Sequence, residues 1–238
     1  MQAIILAGGK GTRLKPYTTV LPKPLLPIGD IPILEVVIKQ LKKNGFKKIT
    51  MAVGHQHDLF IAFFGNGDKW RITIEYYVEK EPMGTAGAIC HIDNLDDNFL
   101  MMNGDILTDL NLKELFNIHK NKKADLTIAT HQRTQDVNYG TLEYNHEGFL
   151  TKFIEKPSIP FSVSMGVYVL SRNVLSLIPK KGRFDFPDLV QKILTKKKHV
   201  YCHPYDGYWM DIGRHEDYEQ AIDDYEKIKD RLLIIPIR

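Results

Sequence analysis

"IILAGGKGTRLKP", residues 4–16, sets a glycine-rich, cationic loop directly behind an apolar run. Ala3, Ile4, Ile5, Leu6 and Ala7 contain no polar interruption, which is the pattern of a strand buried on both faces. Such a strand needs helices packed above and below it. Gly8, Gly9 and Gly11 let the backbone come close to an anion, and successive N–H groups can point at its oxygens. A loop of this kind after a first strand commonly binds phosphate.

The chain downstream fits that opening. "IPILEVVIKQLKKNG" at 31–45 has Ile33, Leu34, Val37, Ile38 and Leu41 at helical spacing, Pro32 near its start and Gly45 at its end. "KITMAV" (48–53) reads as a strand, "HDLFIAFFG" (57–65) as a short helix, "ITIEYY" (72–77) as a strand and "TAGAICHI" (85–92) as a helix. "FLMMNGD" (99–105) is a strand ending in an acid, followed by helix "LKELFNIHKNK" (112–122) and strand "ADLTIAT" (124–130). Beyond about residue 138 the pattern changes. "YGTLEY", "FLTKFIEK" and "VSMGVYVLS" are extended stretches in close succession, and helices follow in "FPDLVQKIL" and from Arg214 to about Arg231. The expectation is one α/β domain over residues 1–238. Its sheet is Rossmann-like, open and mixed but mostly parallel, with helices on both faces and β insertions in the second half.

Composition narrows the function. The 238 residues carry 32 basic and 29 acidic side chains, a net charge of +3. That balance argues against a nucleic-acid partner, which calls for concentrated basic charge. The lysine-rich stretches at 120–123 and 196–198 read as solvated helix ends. Two distant cysteines, Cys90 and Cys202, give no disulfide framework and no metal-type spacing. The N-terminus has no basic segment before its apolar run, and no apolar run nears the ~20 residues of a membrane span. A cytoplasmic protein without a membrane partner is expected.

Two familiar phosphate motifs fail on the opening loop. The P-loop needs Gly-Lys-Ser/Thr where Gly11 is followed by Thr12-Arg13. The dinucleotide fingerprint fits Gly9 and Gly11 but meets Leu14 at its third glycine position. What remains is Gly-Gly-x-Gly-Thr-Arg-Leu, and then, in order, "LPKPLLPI" (21–28), "EPMGTAGAI" (81–89), "NGD" (103–105), "YG" (139–140), "EKP" (155–157), "SMGVYV" (164–169) and "WMDIG" (209–213). This ordered set resembles the sugar-1-phosphate nucleotidyltransferases, also called nucleotide-sugar pyrophosphorylases, over most of the chain.

The resemblance implies a reaction: an NTP and a sugar 1-phosphate, here a hexose or heptose 1-phosphate, give an NDP-sugar and pyrophosphate. Chemistry of that type rests on positioning and charge neutralisation. By resemblance Leu6, Ala7, Gly8, Gly9, Gly11, Thr12, Arg13, Glu79, Gly84 and Thr85 bind the nucleotide. Arg13 grips the outer phosphates, for which a planar guanidinium is suited. Lys23, stiffened between Pro22 and Pro24, reaches the reacting centre, and with Arg13 and Asp105 makes up the catalytic set. Asp105 and Asp211 hold one Mg²⁺, which commonly takes one or two carboxylates plus phosphate oxygens. Gly140, Glu155, Lys156 and Gly166 serve the sugar phosphate; Ser164-Met165-Gly166 departs from the Asn-containing segment many relatives carry there.

Position 79 faces the base in the family. A carboxylate there suits the two adjacent donors of guanine, whereas uracil or thymine suits a glutamine better, so Glu79 favours GTP. His55 and His57 in "GHQHD" are spaced i, i+2, which does not put both on one helix face, and read as surface or ribose-proximal residues. Two other classes compete: a nucleotide-sugar-dependent glycosyltransferase, which calls for an Asp-x-Asp site where this chain has Asn103-Gly104-Asp105, and a non-catalytic nucleotide or sugar-phosphate sensor. The apolar tail "LLIIPIR" leaves open packing on the core or on another subunit of a homo-oligomer.

Overall fold

The apolar run at the N-terminus lies at the heart of the sheet. In the computed structural model, which describes residues 1–9, 11–54 and 56–233, β1 spans Gln2–Leu6, and Ala3, Ile4 and Ile5 have no exposed surface. The remaining strands are β2 (Pro27–Ile28), β3 (Ile31–Pro32), β4 (Lys48–Val53), β5 (Thr73–Val78), β6 (Asn98–Asn103) and β7 (Ile106–Thr108), then β8 (Leu126–Asp136), β9 (Thr141–Tyr144), β10 (Leu150–Ile154), β11 (Ser158–Ser171), β12 (Val200–Pro204) and β13 (Trp209–Asp211). The α-helices are α1 (Ile33–Lys43), α2 (His57–Phe64), α3 (Gly84–Gly87), α4 (Leu112–Lys122), α5 (Phe186–Thr195) and α6 (His215–Leu233).

One seven-stranded sheet runs β12-β8-β11-β6-β1-β4-β5. β11 is antiparallel to both neighbours, β6 and β8, and every other adjacent pair is parallel. Alternation along β1 divides the core. Ala3 and Ile5 point into a layer with α1, α2 and α4, through Leu34, Phe60 and Leu115. Ile4 points the other way, into a layer with Leu189 and Ile193 of α5. Helices therefore cover both faces, as two-sided burial of the strand requires. A third cluster joins α6 to the opening loops through Tyr218, Tyr225, Leu14 and Ile28.

Three differences from the sequence reading matter. The expected helix over 85–92 is a four-residue α-turn, α3, continued by a tighter 3-10 turn over Ala88–His91. Only Gly84–Gly87 keep α geometry, and two glycines in four residues give little helix preference. β8 and β11 run well beyond the expected stretches and pair out to Asp136 and Ser158. Between their tips β9 and β10 form a separate two-stranded ribbon. β12 was not expected, because "VYCHP" shows no clean alternation and ends in proline. Among the described residues no helix is long and apolar enough to cross a membrane. The last five residues, 234–238, and His55 of "GHQHD" lie outside the described residues, as does Lys10.

Candidate active site

The opening loop leaves the sheet at the C-terminal ends of β1, β4 and β6, where open α/β sheets bind their ligands. Ala7 is still tied to the sheet, its N–H donating to Ala52 O at 2.9 Å. Gly8 and Gly9 are exposed, and Gly8 packs against the Glu79 carboxylate. Gly11 turns the chain with φ 59°, and a Cβ there would lie 2.9 Å from Thr18 Cγ2. Thr18 Oγ1 donates to Gly11 O at 2.7 Å, as does Leu14 N at 2.9 Å, so a short 3-10 turn (Thr12–Leu14) is pinned beneath the loop by buried Leu14. Thr12 and Arg13 stay exposed on its outer side.

Lys23 begins another 3-10 turn, Lys23–Leu25, after the extended Pro22. Its ammonium forms an ion pair with Asp105 Oδ2, both side chains being largely shielded. Asp105 follows β6 at a turn anchored by Gly104 N donating to Leu6 O, 2.9 Å, so the acid sits beside the end of β1. Its other oxygen, Oδ1, is buried without a hydrogen-bond partner. Asp211 arrives through β13, which pairs antiparallel with β7 and sets Asp211 opposite Ile106. Burial pushes the Asp211 carboxyl upward and Asp105 pushes the same way, against the pull of Lys23 and Arg13. Two acids 106 positions apart in sequence thus share one electrostatic site. An unpartnered buried carboxylate oxygen on Asp105, electrostatically coupled to the more exposed Asp211 carboxylate, fits a bound cation. No third His, Cys, Asp or Glu joins them among the described residues, so phosphate oxygens and water would complete the shell.

Arg13 lies alongside Gly213, its guanidinium nitrogens 3.8 Å from where a Cβ would stand. Together with Asp211 and Gly213 it opens onto a cavity of about 350 Å³ that Arg133, Phe161, Trp209 and Arg214 also line. The Arg133 guanidinium stacks 5.0 Å over the Trp209 ring, whose Nε1 donates to Met165 O at 2.9 Å. Sequence reading missed Arg133 and Arg214, because neither belongs to a motif. Asp217 Oδ2 accepts from Arg214 N at 2.8 Å and from Gly213 N at 3.1 Å, capping α6.

A second cavity, of about 340 Å³, opens at the ends of β1 and β6 and is lined by Leu6, Thr85, Asn103, Ser164, Tyr168 and Phe186. Gly166 backs it. Its φ is 72°, and a Cβ would meet Asn103 Nδ2 at 2.8 Å. It occupies the register shift between Ser164 and Tyr168 of β11. Glu79 stands at the end of β5, where its Oε2 accepts from Met83 N at 3.0 Å. Each carboxylate oxygen has two lone pairs, so acceptor capacity remains. Gly84 (φ 80°) starts α3, and Thr85 is committed to α5: its N–H donates to Asp185 Oδ1 at 3.1 Å and its hydroxyl accepts from Phe186 N at 2.7 Å.

The structure therefore brings Gly11, Arg13, Lys23, Asp105 and Asp211 into one neighbourhood. Leu6 and Thr85 border the second cavity, and Gly166 packs against Asn103 of its lining. Gly140, Glu155 and Lys156 stand at the base of the β9–β10 ribbon, where Glu155 and Lys156 are exposed. Gly140 approaches both the Phe153 ring and the Glu155 carboxylate. No hydrogen bond or ion pair among the described residues joins Glu155 or Lys156 to Lys23, Asp105 or Asp211.

The nucleotidyl transferase family model matches residues 2–228. The chain is 34% identical over 220 residues to the D-glycero-alpha-D-manno-heptose 1-phosphate guanylyltransferase of Campylobacter jejuni, a match covering 92% of this chain and 97% of that protein. It is 32% identical over 242 residues to the UTP–glucose-1-phosphate uridylyltransferase of Synechocystis sp., covering 93% of this chain but only 62% of the longer relative. The crystal structure of HddC from Yersinia pseudotuberculosis complexed with GMP-PN matches with a TM-score of 0.72 at 26% identity, covering 94% of this chain and 99% of that one. The chain belongs to the nucleotidyl transferase family, among the nucleotidyltransferases of sugar 1-phosphates.

Proposed function

We propose that this chain transfers a nucleoside monophosphate, GMP by preference, from the NTP to a hexose or heptose 1-phosphate. A phosphate oxygen of the sugar phosphate attacks the α-phosphorus; the bond from that phosphorus to the bridging oxygen breaks, and pyrophosphate leaves with the electron pair. The observation that carries the reading is the convergence of Lys23, Asp105 and Asp211 at the strand ends beneath the glycine loop. The same convergence argues against a sensor, which has no need of a shielded lysine paired with one of two neighbouring acids.

Each residue's part follows from its chemistry. The N–H groups of Gly8, Gly9 and Gly11 receive the outer phosphates, and Arg13 neutralises them beside Gly213. Lys23 lies against Asp105, where charge develops as the α-phosphorus changes partners. Asp105 and Asp211 would hold Mg²⁺, whose contribution when bound is to neutralise charge on the phosphates. Leu6, Ala7, Thr12, Gly84 and Thr85 shape the nucleotide's surroundings, and Glu79 accepts from the base edge. Gly140, Glu155, Lys156 and Gly166 receive the sugar phosphate; Lys156 supplies the charge.

The preference for GTP is supported by Glu79 and by guanylyltransferases among the relatives. The test is a matrix of four NTPs and a panel of hexose and heptose 1-phosphates with MgCl2, read by pyrophosphate release and mass spectrometry. NDP-sugar formed fastest from GTP is the expected result. No product anywhere in the matrix would overturn the reading, and product from UTP or dTTP alone would overturn the base preference.

A further inference from the structure

Three arginines from separate parts of the chain meet at the cavity beside Asp211, and none of them forms an ion pair among the described residues. Of the seven arginines that the structure describes, Arg172, Arg183 and Arg231 pair with Asp97, Asp185 and Asp109. The other four are Arg13, Arg71, Arg133 and Arg214, and all but Arg71 line this one cavity of about 350 Å³. A single unpaired arginine on a surface is ordinary. Three around one hollow, next to a carboxylate suited to a cation, concentrate positive charge where an anion can enter.

The fold places each guanidinium by a different device. Arg13 leaves the Thr12–Leu14 turn and lies against Gly213, where a Cβ would stand 3.8 Å from two of its nitrogens. Arg214 follows Gly213 directly, and Asp217 Oδ2 accepts from the main-chain N–H of both. Those N–H groups are thereby occupied, so the side chain of Arg214, and not the end of α6, is what can meet an anion. Arg133 stands on the part of β8 that runs beyond the sheet, opposite Phe161 of β11. Its guanidinium rests 5.0 Å over the Trp209 ring. That ring is fixed in turn by Nε1, which donates to Met165 O at 2.9 Å, and by His131, whose ring lies 5.4 Å away. Stacking orders the guanidinium without using a hydrogen-bond donor, so its N–H fork stays open to a ligand. Phe161 and Val163 add apolar wall to the cavity, and displaced water strengthens charge attraction there.

We propose that Arg133 and Arg214 join Arg13 in holding the pyrophosphoryl end of the NTP and the pyrophosphate it becomes, an assignment that rests on the function proposed above. Position favours this occupant. The cavity touches Arg13 and Asp211, and shares no lining residue with the second cavity, where Asn103, Ser164 and Tyr168 stand. Charge favours it too. Three guanidinium groups outnumber the Asp211 and Asp217 carboxylates, and a cation on Asp211 widens the excess, which calls for a polyanion. Two linked phosphoryl groups present oxygens to forks arriving from three segments of chain, whereas a phosphate monoester suits one or two of them. Arg133 and Arg214 therefore belong to the leaving-group side. As the bond to the α-phosphorus breaks, the charge that gathers on pyrophosphate falls among them.

The test is isothermal titration calorimetry of the full chain in MgCl2 with inorganic pyrophosphate, GTP and GMP. Arg133→Gln combined with Arg214→Gln should weaken pyrophosphate about tenfold or more and leave GMP, which lacks the outer phosphates, within about twofold. Arg133→Lys paired with native Arg214 should bind pyrophosphate better than Arg133→Gln does, since charge returns without the planar fork. Arg71→Gln, in the turn before β5 at the opposite ends of the strands, should change nothing. If the double variant fails to fold by circular dichroism, Arg214→Gln alone gives the same split between pyrophosphate and GMP. Loss of GTP affinity alongside pyrophosphate shows that the seat is filled before the bond breaks; loss of pyrophosphate alone shows that the departed product fills it. Both support the proposal. A wild type that binds no pyrophosphate, a double variant that binds it as tightly as wild type, or GMP weakened as much as pyrophosphate overturns it. Calorimetry needs no turnover. A wild type that forms no product from any sugar 1-phosphate would count against the function and leave the pyrophosphate result standing.

Discussion

Asp105 divides its carboxylate between two needs: one oxygen meets the Lys23 ammonium and the other is buried without a partner. Asp105→Asn keeps the shape and removes the charge. Under the proposed function it should lower kcat by at least about 10²-fold, and Lys23→Ala by a similar factor, the size seen when a group stabilising developing charge is lost. Pyrophosphate release is the measurement, with circular dichroism as the check on folding; near-normal turnover in either variant would remove that residue from the reaction. Lys23→Ala should also cost about 1–3 kcal/mol in urea unfolding, because it strips the remaining oxygen of Asp105 of its partner. Cation binding has its own readout. MgCl2 should raise the melting temperature of the wild type, and chelation should reverse the rise. In Asp105→Asn combined with Asp211→Asn, magnesium should change nothing. A rise of equal size in that variant would place the cation elsewhere.

At the scale of elements, β11 shows how local geometry shapes a cavity. Gly166 sits at its register shift with φ 72° and no room for a Cβ against Asn103. Gly166→Ala therefore meets backbone strain and a side-chain clash together, and should cost about 1–3 kcal/mol. Because Asn103 and Ser164 line the adjoining cavity, KM for the sugar 1-phosphate should rise as well. A variant as stable as wild type would show that the strand relaxes. α4 is fastened differently. His119, 1% exposed, sets Nδ1 2.9 Å from Thr127 Oγ1 and Nε2 3.1 Å from both Asn98 Oδ1 and Ser171 Oγ, linking the helix to β8, β6 and β11. Burial pushes its pKa down to about 4, with the charge of Asp125 opposing. A histidine depressed in the folded state favours folding fully above its ordinary value of 6.5, and that support is lost as pH falls towards about 4. Thermal unfolding should therefore lose stability across that window, and His119→Gln should flatten the profile. The sequence announced β1 and α1 because their apolar spacing is uninterrupted. It did not announce β7 and β13, three residues each, whose pairing brings Asp211 towards Asp105. Arg133 was illegible for a similar reason: its place over Trp209 depends on how far β8 extends beyond the sheet.

The whole molecule joins a parallel half, β6-β1-β4-β5, to a second half, β12-β8, through one antiparallel strand. Alternating strand and helix patterns made the first half readable, since each crossover is local. The second half depends on partners separated by long stretches of chain, which no window of sequence contains. β11 is the hinge of the arrangement, seated between β6 and β8 although it follows both in the chain. The order of synthesis gives this seat a consequence. Residues 1–103 can pair among themselves as soon as they leave the ribosome, but β6 then shows an open edge of Phe99–Met102 until residues 158–171 arrive. A nascent chain stalled before residue 158 should therefore recruit chaperone or aggregate, and one stalled beyond 171 with room to clear the ribosome should not. An unpaired apolar strand edge is the template from which misassembly grows.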